Sequence, residues 1–218
     1  MLTLADLADR HAGERILICG TGPSLDAVDA LRVTGPRIFI HRAAFAMPRS
    51  KDETYWLVND NCWRLGTLGP WHRLLEAIRA GTADMLGVFR DPMGDNGKPS
   101  PAPQGRNICR WHGFTEDAVR ALQLTREEVL ARNVLYMEAG TGATAVHLAW
   151  VLGAREVVLA GFDGGEGHAQ CVAEFYEQPD TRGGLGYLPA QDCVENALTQ
   201  LNMQATMIKE EATDAGVH

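Results

Sequence analysis

Short apolar runs alternate along the chain with longer segments of helical spacing, and this alternation sets the expected architecture. Arg15–Cys19 is an isoleucine-rich run closed by glycines, the pattern of a strand buried on both faces of a parallel sheet. Arg37–Ile40, Tyr55–Val58 within Thr54–Asn59, and Met85–Phe89 repeat it, and Glu156–Ala160 is strongly β-branched. Between the strands, Leu2 to His11 suits a short amphipathic helix behind Thr3, and Trp71–Ala80 places Leu74, Leu75 and Ile78 on one face. Ser24 predicts the cap of a helix to about Leu31, and Ala143 to Leu152 is an alanine-rich helix ended by Gly153. Thr115 and Thr125, each followed by acidic residues, predict short helices reaching Leu122 and Arg132. A helix from Ala190 to Leu201 and a last strand over Ala205–Ile208 complete the pattern. The expected fold is α/β, a doubly wound and mostly parallel sheet with helices on both faces.

One stretch breaks the rhythm. Asp91 to Gly113 holds Pro92, Gly94, Gly97, Pro99, Pro101, Pro103 and Gly105, which defeat helix and strand alike and predict a long lid-like loop inserted at 91–113. The 218 residues otherwise fit one domain, 1–218, and 45% hydrophobic content supplies its core. A net charge of -8 opposes sequence-independent binding of nucleic acid, and the basic residues Arg90, Lys98, Arg106 and Arg110 are too sparse to reverse that. Five widely spaced cysteines form no Cys-x-x-Cys pair and no zinc spacing, so reduced thiols and a cytoplasmic location are expected. Met1 to Gly13 carries Asp6, Asp9 and Arg10 among its apolar residues and so lacks a signal-peptide core, and no run is long enough to span a membrane. Self-association is left open.

Candidate chemistry sits in two glycine turns. Gly20-Thr21-Gly22-Pro23-Ser24 follows the first strand, where backbone amides and a helix start favour a phosphate. It lacks the third glycine of the dinucleotide fingerprint, with Leu25 in that place, and the Lys-Ser/Thr pair of a Walker loop. Gly140-Thr141-Gly142-Ala143-Thr144 forms a second small-residue turn at a helix start, and Gly161 to Gly165 ends a later strand. All three should meet at the carboxyl edge of the sheet, where open α/β folds bind ligands. For the first turn the alternative is a tight turn with Ser24 as an ordinary cap, and for the second it is helix-to-sheet packing that demands small residues.

The segments Ile16 to Asp26, Gly140-Thr-Gly142 and Leu152 to Asp163 resemble the bacterial sialyltransferases that use a cytidine-monophosphate sugar. They are also similar to a wider Rossmann-like family that includes archaeal hydroxymethylpterin diphosphokinases. The resemblance covers about residues 15–60 and 133–200. It implies that Gly20, Thr21, Gly22, Pro23 and Ser24 surround a nucleotide phosphate, that Asn59 touches nucleotide or sugar, that Thr141 and Gly142 contact base or ribose, and that Asp163 faces the cleft. Tyr176 and Tyr187 fall where the family holds the donor phosphate through tyrosine hydroxyls, the alternative being surface aromatics. The family's asparagine-bearing segment after the second strand is replaced by His41-Arg42-Ala43-Ala44, and its late catalytic histidine is missing. His168 and Asp192 are the substitutes for that general base, the former otherwise a solvated loop residue.

The expected function is therefore a glycosyltransferase that takes a sugar from a nucleotide donor to an acceptor hydroxyl. No further cofactor and no metal ligand set is expected for it. A diphosphokinase acting on a small heterocyclic alcohol, which would employ Mg2+, is the first alternative. A non-catalytic nucleotide-binding or assembly protein is the second.

Overall fold

A computed structural model of the chain describes residues 1–26, 34–46, 52–59, 70–91, 103–113, 115–137, 140–162 and 190–208. Its centre is a seven-stranded sheet in the order β5-β4-β3-β2-β1-β6-β7. The strands are β1 (Arg15–Cys19), β2 (Arg37–Ile40), β3 (Thr54–Val58), β4 (Leu86–Asp91), β5 (Ile108–His112), β6 (Glu156–Ala160) and β7 (Gln204–Met207). Every neighbouring pair is parallel, so the expected doubly wound α/β sheet is present and parallel throughout these strands. The strand order grows outward from β1 to β5 and then returns to set β6 on the other side of β1. That reversal makes the β1/β6 boundary the switch point of the sheet.

Both faces are covered, which is why the strands read as unbroken apolar runs. Ile16 and Ile18 of β1 join Ile38, Leu57, Val88 and Leu159 under α6 (Thr141–Val151), with α1 (Leu4–Leu7), α5 (Arg126–Arg132) and α7 (Ala190–Gln200) contributing to the same core. Leu17 and Cys19 point the other way, to Leu25, Phe39 and Ala43, the last on α2 (Ala43–Ala46). Further along that face, Trp56 and Phe89 pack on Leu75 and Ile78 of α3 (Pro70–Ala80). Each such side chain removed from water contributes about 1.5–3 kcal/mol before entropy is counted.

The elements depart from expectation in four places. Ile108–His112 lies inside the predicted 91–113 loop yet forms β5, because the five residues after Asn107 contain neither proline nor glycine and the dense prolines before them obscured the run. Residues 92–102 of that loop lie outside the described part. The first helix is one turn long, since Ala8 leaves helical geometry with ψ 132° and Asp9 follows in the left-handed region with φ 58°. Ser24 lies within a 3-10 turn, Pro23–Leu25, whose preceding residue is Gly22, and the rest of the helix expected to about Leu31 lies outside the described residues. The predicted Thr115 helix is broken into α4 (Glu116–Val119) and a second 3-10 turn, although both threonine caps form, Thr115 on Ala118 and Thr125 on Glu128. The outer edge of β5 is bridged by Leu2 and Val134, with Leu2 donating its N–H to Ile108 O at 2.9 Å and His112 donating to Asn133 O at 2.7 Å. Bridged in this way, the outer strand presents few free backbone groups to another chain.

Candidate functional site

The turns after β1 and β6 are tied together at the switch point. Gly20 donates its N–H to Ala160 O at 2.7 Å, and Gly22 donates to Gly161 O at 3.0 Å. In return Gly161 donates to Ser24 Oγ at 2.9 Å. A methyl on Gly20 would stand 2.4 Å from Gly161 O, and Gly161 itself has φ +74°, so both glycines are demanded by the close approach of two backbones. Ser24 is fully buried, and its role here is to hold the β6 turn, while Thr21, Gly22 and Pro23 are the members of the loop that reach partial exposure.

The second turn opens α6 beside this joint. Gly140 has φ +125°, nothing among the described residues stands within 4 Å of where its side chain would be, and its own position supplies no side-chain cap to the helix. The first turn carries no acidic residue, so its free amides and dipole favour an anion. Gly142 answers a packing demand instead, since a methyl there would lie 2.8 Å from Phe162 and 2.9 Å from Val194.

Thr141, Thr144 and His147 recur every third residue on α6 and bind three separate segments. Thr141 Oγ1 lies 2.8 Å from His41 Nε2, on the residue that follows β2. His41 has φ 49°; its N–H donates to Leu57 O, and its carbonyl accepts from Trp56 Nε1 at 2.9 Å. Thr144 Oγ1 accepts from Asn59 Nδ2 and donates to Tyr136 O, both at 2.8 Å. Asn59 follows β3, is 5% exposed, and its Oδ1 has no hydrogen-bond partner among the described residues. His147 Nδ1 accepts the Tyr136 N–H at 2.9 Å, which assigns the ring proton to Nε2. Complete burial pushes the pKa of His147 down to about 3, so the ring is neutral.

The expected site residues divide accordingly. The Gly20 to Ser24 loop, Asn59, Thr141 and Gly142 come together at the carboxyl edges of β1, β3 and β6. Asp192 lies in the first turn of α7 and is exposed. Asp163, His168, Tyr176 and Tyr187 lie outside the described residues. The three described cysteines, Cys19, Cys109 and Cys193, are buried thiols without disulfides, and burial pushes Cys109 up to about 12. Among the described residues, no cluster of His, Cys, Asp or Glu is placed to hold a metal, and no helix is long and apolar enough to cross a membrane. The His41–Thr141 contact, across 100 positions of sequence, had one signal in the chain: a histidine just beyond the carboxyl end of a buried strand.

These features define an open, doubly wound α/β protein with a switch point between β1 and β6, the position at which such sheets bind ligands. Solved structures of sialyltransferases share the fold. The sialyltransferase CST-II in complex with a trisaccharide acceptor and CMP matches with a TM-score of 0.51 and 11% identity, over 89% of this chain and 81% of that one. A phenylalanine-for-tyrosine variant of that enzyme in complex with CMP matches with 0.55 and 12%, over the same shares. CstII from Campylobacter jejuni with cytidine-5'-monophosphate matches with 0.52 and 12%, over 90% and 80%. At such identities the likeness shows the fold alone. No family model matches the chain, and no curated protein matches it by sequence. The diphosphokinase side of the resemblance finds no support in these comparisons.

Proposed function

We propose that the chain is a glycosyltransferase that moves a sugar from a cytidine-monophosphate type of nucleotide donor to an acceptor hydroxyl. The observation that carries this reading is the joint at the switch point, where the β1 turn, the uncapped start of α6 and the orphaned Asn59 Oδ1 share the carboxyl edge of the sheet. The first amides of α6 suit the phosphate, and the Gly20–Pro23 turn borders it without those donors, since the Gly20 and Gly22 N–H groups are engaged by Ala160 O and Gly161 O and Pro23 has none. Asn59 Oδ1 accepts from a ligand hydroxyl or amine, and Thr141 and Gly142 border the base or ribose. Ser24 serves the pocket by fixing the Gly161 turn. The sialyltransferase neighbours, crystallised with CMP, supply the nucleotide class. Tyr176 and Tyr187 would hold the donor phosphate, Asp163 would face the cleft, and His168 or Asp192 would take the proton of the acceptor hydroxyl. Positioning and leaving-group stabilisation carry the catalysis.

Thermal denaturation with cytidine, uridine and adenosine nucleotides tests the reading. CMP at 100 times its dissociation constant should stabilise the fold by about 2.7 kcal/mol, a rise in midpoint of roughly 5–10 °C for a domain of this size. A rise with ATP and Mg2+ alone, or with none of the nucleotides, would contradict it.

A further inference from the structure

The asparagine that follows β3 is held in one of its two amide orientations, and the residue that holds it lies inside α6. We propose that Thr144 is a positioning residue that fixes the hydrogen-bonding polarity of the site. It turns the Asn59 carbonyl oxygen toward the ligand, so that this point takes a hydroxyl or amine donor and disfavours an analogue with an acceptor, or nothing, in its place. The proposal rests on the nucleotide reading above.

The polarity is set by a chain of bonds that begins in the backbone. Met137 donates its N–H to Ala118 O of α4 at 3.2 Å, which fixes the plane of the Tyr136–Met137 peptide and with it the direction of Tyr136 O. Tyr136 is held from its other side by its own N–H, which donates to His147 Nδ1 at 2.9 Å. Thr144 Oγ1 lies 2.8 Å from Tyr136 O and 3.4 Å from Gly140 O, so its single proton is taken by the backbone. What the hydroxyl then offers Asn59, 2.8 Å away, is a lone pair, and the amide meets it with Nδ2.

The opposite orientation is disfavoured. With the amide turned over, Oδ1 would face Thr144 Oγ1, and one proton would have to serve both that oxygen and Tyr136 O, so one of two buried hydrogen bonds would be lost. Thr144 is fully buried and Asn59 is 5% exposed, so bulk water is not at hand to replace the missing bond. The atom left over, Oδ1, has no partner among the described residues, and it can only accept. A buried acceptor of this kind selects for a ligand group that donates, because any other group leaves it unpaired. Without the Thr144 hydroxyl both amide orientations become open, and the selection is lost.

Calorimetric titration with CMP, UMP and the analogues of CMP that lack the 2'- or the 3'-hydroxyl tests the proposal. UMP replaces the ring amine by a carbonyl, so the four ligands distinguish an amine from a ribose hydroxyl as the group that meets Oδ1. The wild-type protein should bind CMP about tenfold or more tighter than one of the three analogues, and the analogue it rejects names the group. Thr144→Val keeps the shape and removes the hydroxyl; it should bring that preference to within about threefold, whereas Thr144→Ser should restore it. A purely structural role would weaken all four ligands alike and leave their ratios unchanged. Thr144→Ala, a better helix former, should act as the valine does and serves if that variant does not fold. A folded Thr144→Val or Thr144→Ala that keeps the wild-type ratios overturns the role of Thr144, as does a wild-type protein that binds all four ligands equally. A wild-type protein that binds none of them overturns the nucleotide reading, and this proposal with it.

Discussion

The Ser24 hydroxyl accepts the N–H of Gly161 at 2.9 Å, joining the turn after the first strand to the turn after the sixth. Nothing else in the described site links two loops so far apart in sequence through one buried side-chain atom. Ser24→Ala would strand that N–H, at about 1–3 kcal/mol for an unsatisfied buried donor. The thermal midpoint should fall by roughly 2–12 °C, and nucleotide affinity should fall with it as the turns loosen. An unchanged midpoint would show that the N–H finds another acceptor.

Gly20 and Gly140 should respond differently to alanine. A methyl at Gly20 meets Gly161 O at 2.4 Å and must push the turns apart, whereas one at Gly140 meets nothing among the described residues and carries the strain of φ +125°. Gly20→Ala should be the more damaging to fold and binding, while Gly140→Ala should cost on the order of 1–3 kcal/mol and chiefly disturb the start of α6. Denaturant titration of the two variants measures the difference, and equal losses would contradict the packing account.

His147 predicts an acid-sensitive core. Its pKa falls from 6.5 to about 3 in the folded protein, so the unfolded chain binds the extra proton in that interval. Stability from this group is complete above pH 6.5 and is lost as the pH falls toward 3, with a slope of at most about 1.4 kcal/mol per pH unit. His147→Asn retains an acceptor for the Tyr136 N–H but cannot titrate. Urea unfolding between about pH 4 and 7 should give a shallower dependence for the variant; identical slopes would place the sensitivity elsewhere.

Much of this was legible in the chain. The runs around Ile16, Ile38, Leu57 and Val158 are apolar on both sides because both faces of the sheet are covered, and continuity of that kind survives in sequence. Both glycine turns were visible too, but not which glycines answer to packing. Gly20 and Gly142 are small because another segment presses on them, and that segment is distant in sequence. The outer strand Ile108–His112 was hidden by the prolines before it. The Thr141, Thr144 and His147 spacing was present in an alanine-rich helix, yet its partners His41, Asn59 and Tyr136 come from elsewhere in the chain, and only the folded chain identifies them.

Asn59 should serve binding and stability through different atoms. Its Oδ1 has no partner to lose among the described residues, whereas its Nδ2 donates to the buried Thr144 Oγ1, so Asn59→Ala should reduce CMP affinity about tenfold while lowering unfolding free energy by about 1–3 kcal/mol. Parallel calorimetry and chemical denaturation check this. A large loss of stability with intact binding would make the residue purely structural.

A crystal soaked with CMP tests the central claim most directly, because it locates the nucleotide rather than inferring it. The phosphate should lie against the Gly20–Pro23 turn and the first amides of α6, with a ligand donor on Asn59 Oδ1. Nucleotide bound at the amino edge of the sheet, or away from the β1/β6 boundary, would contradict the account.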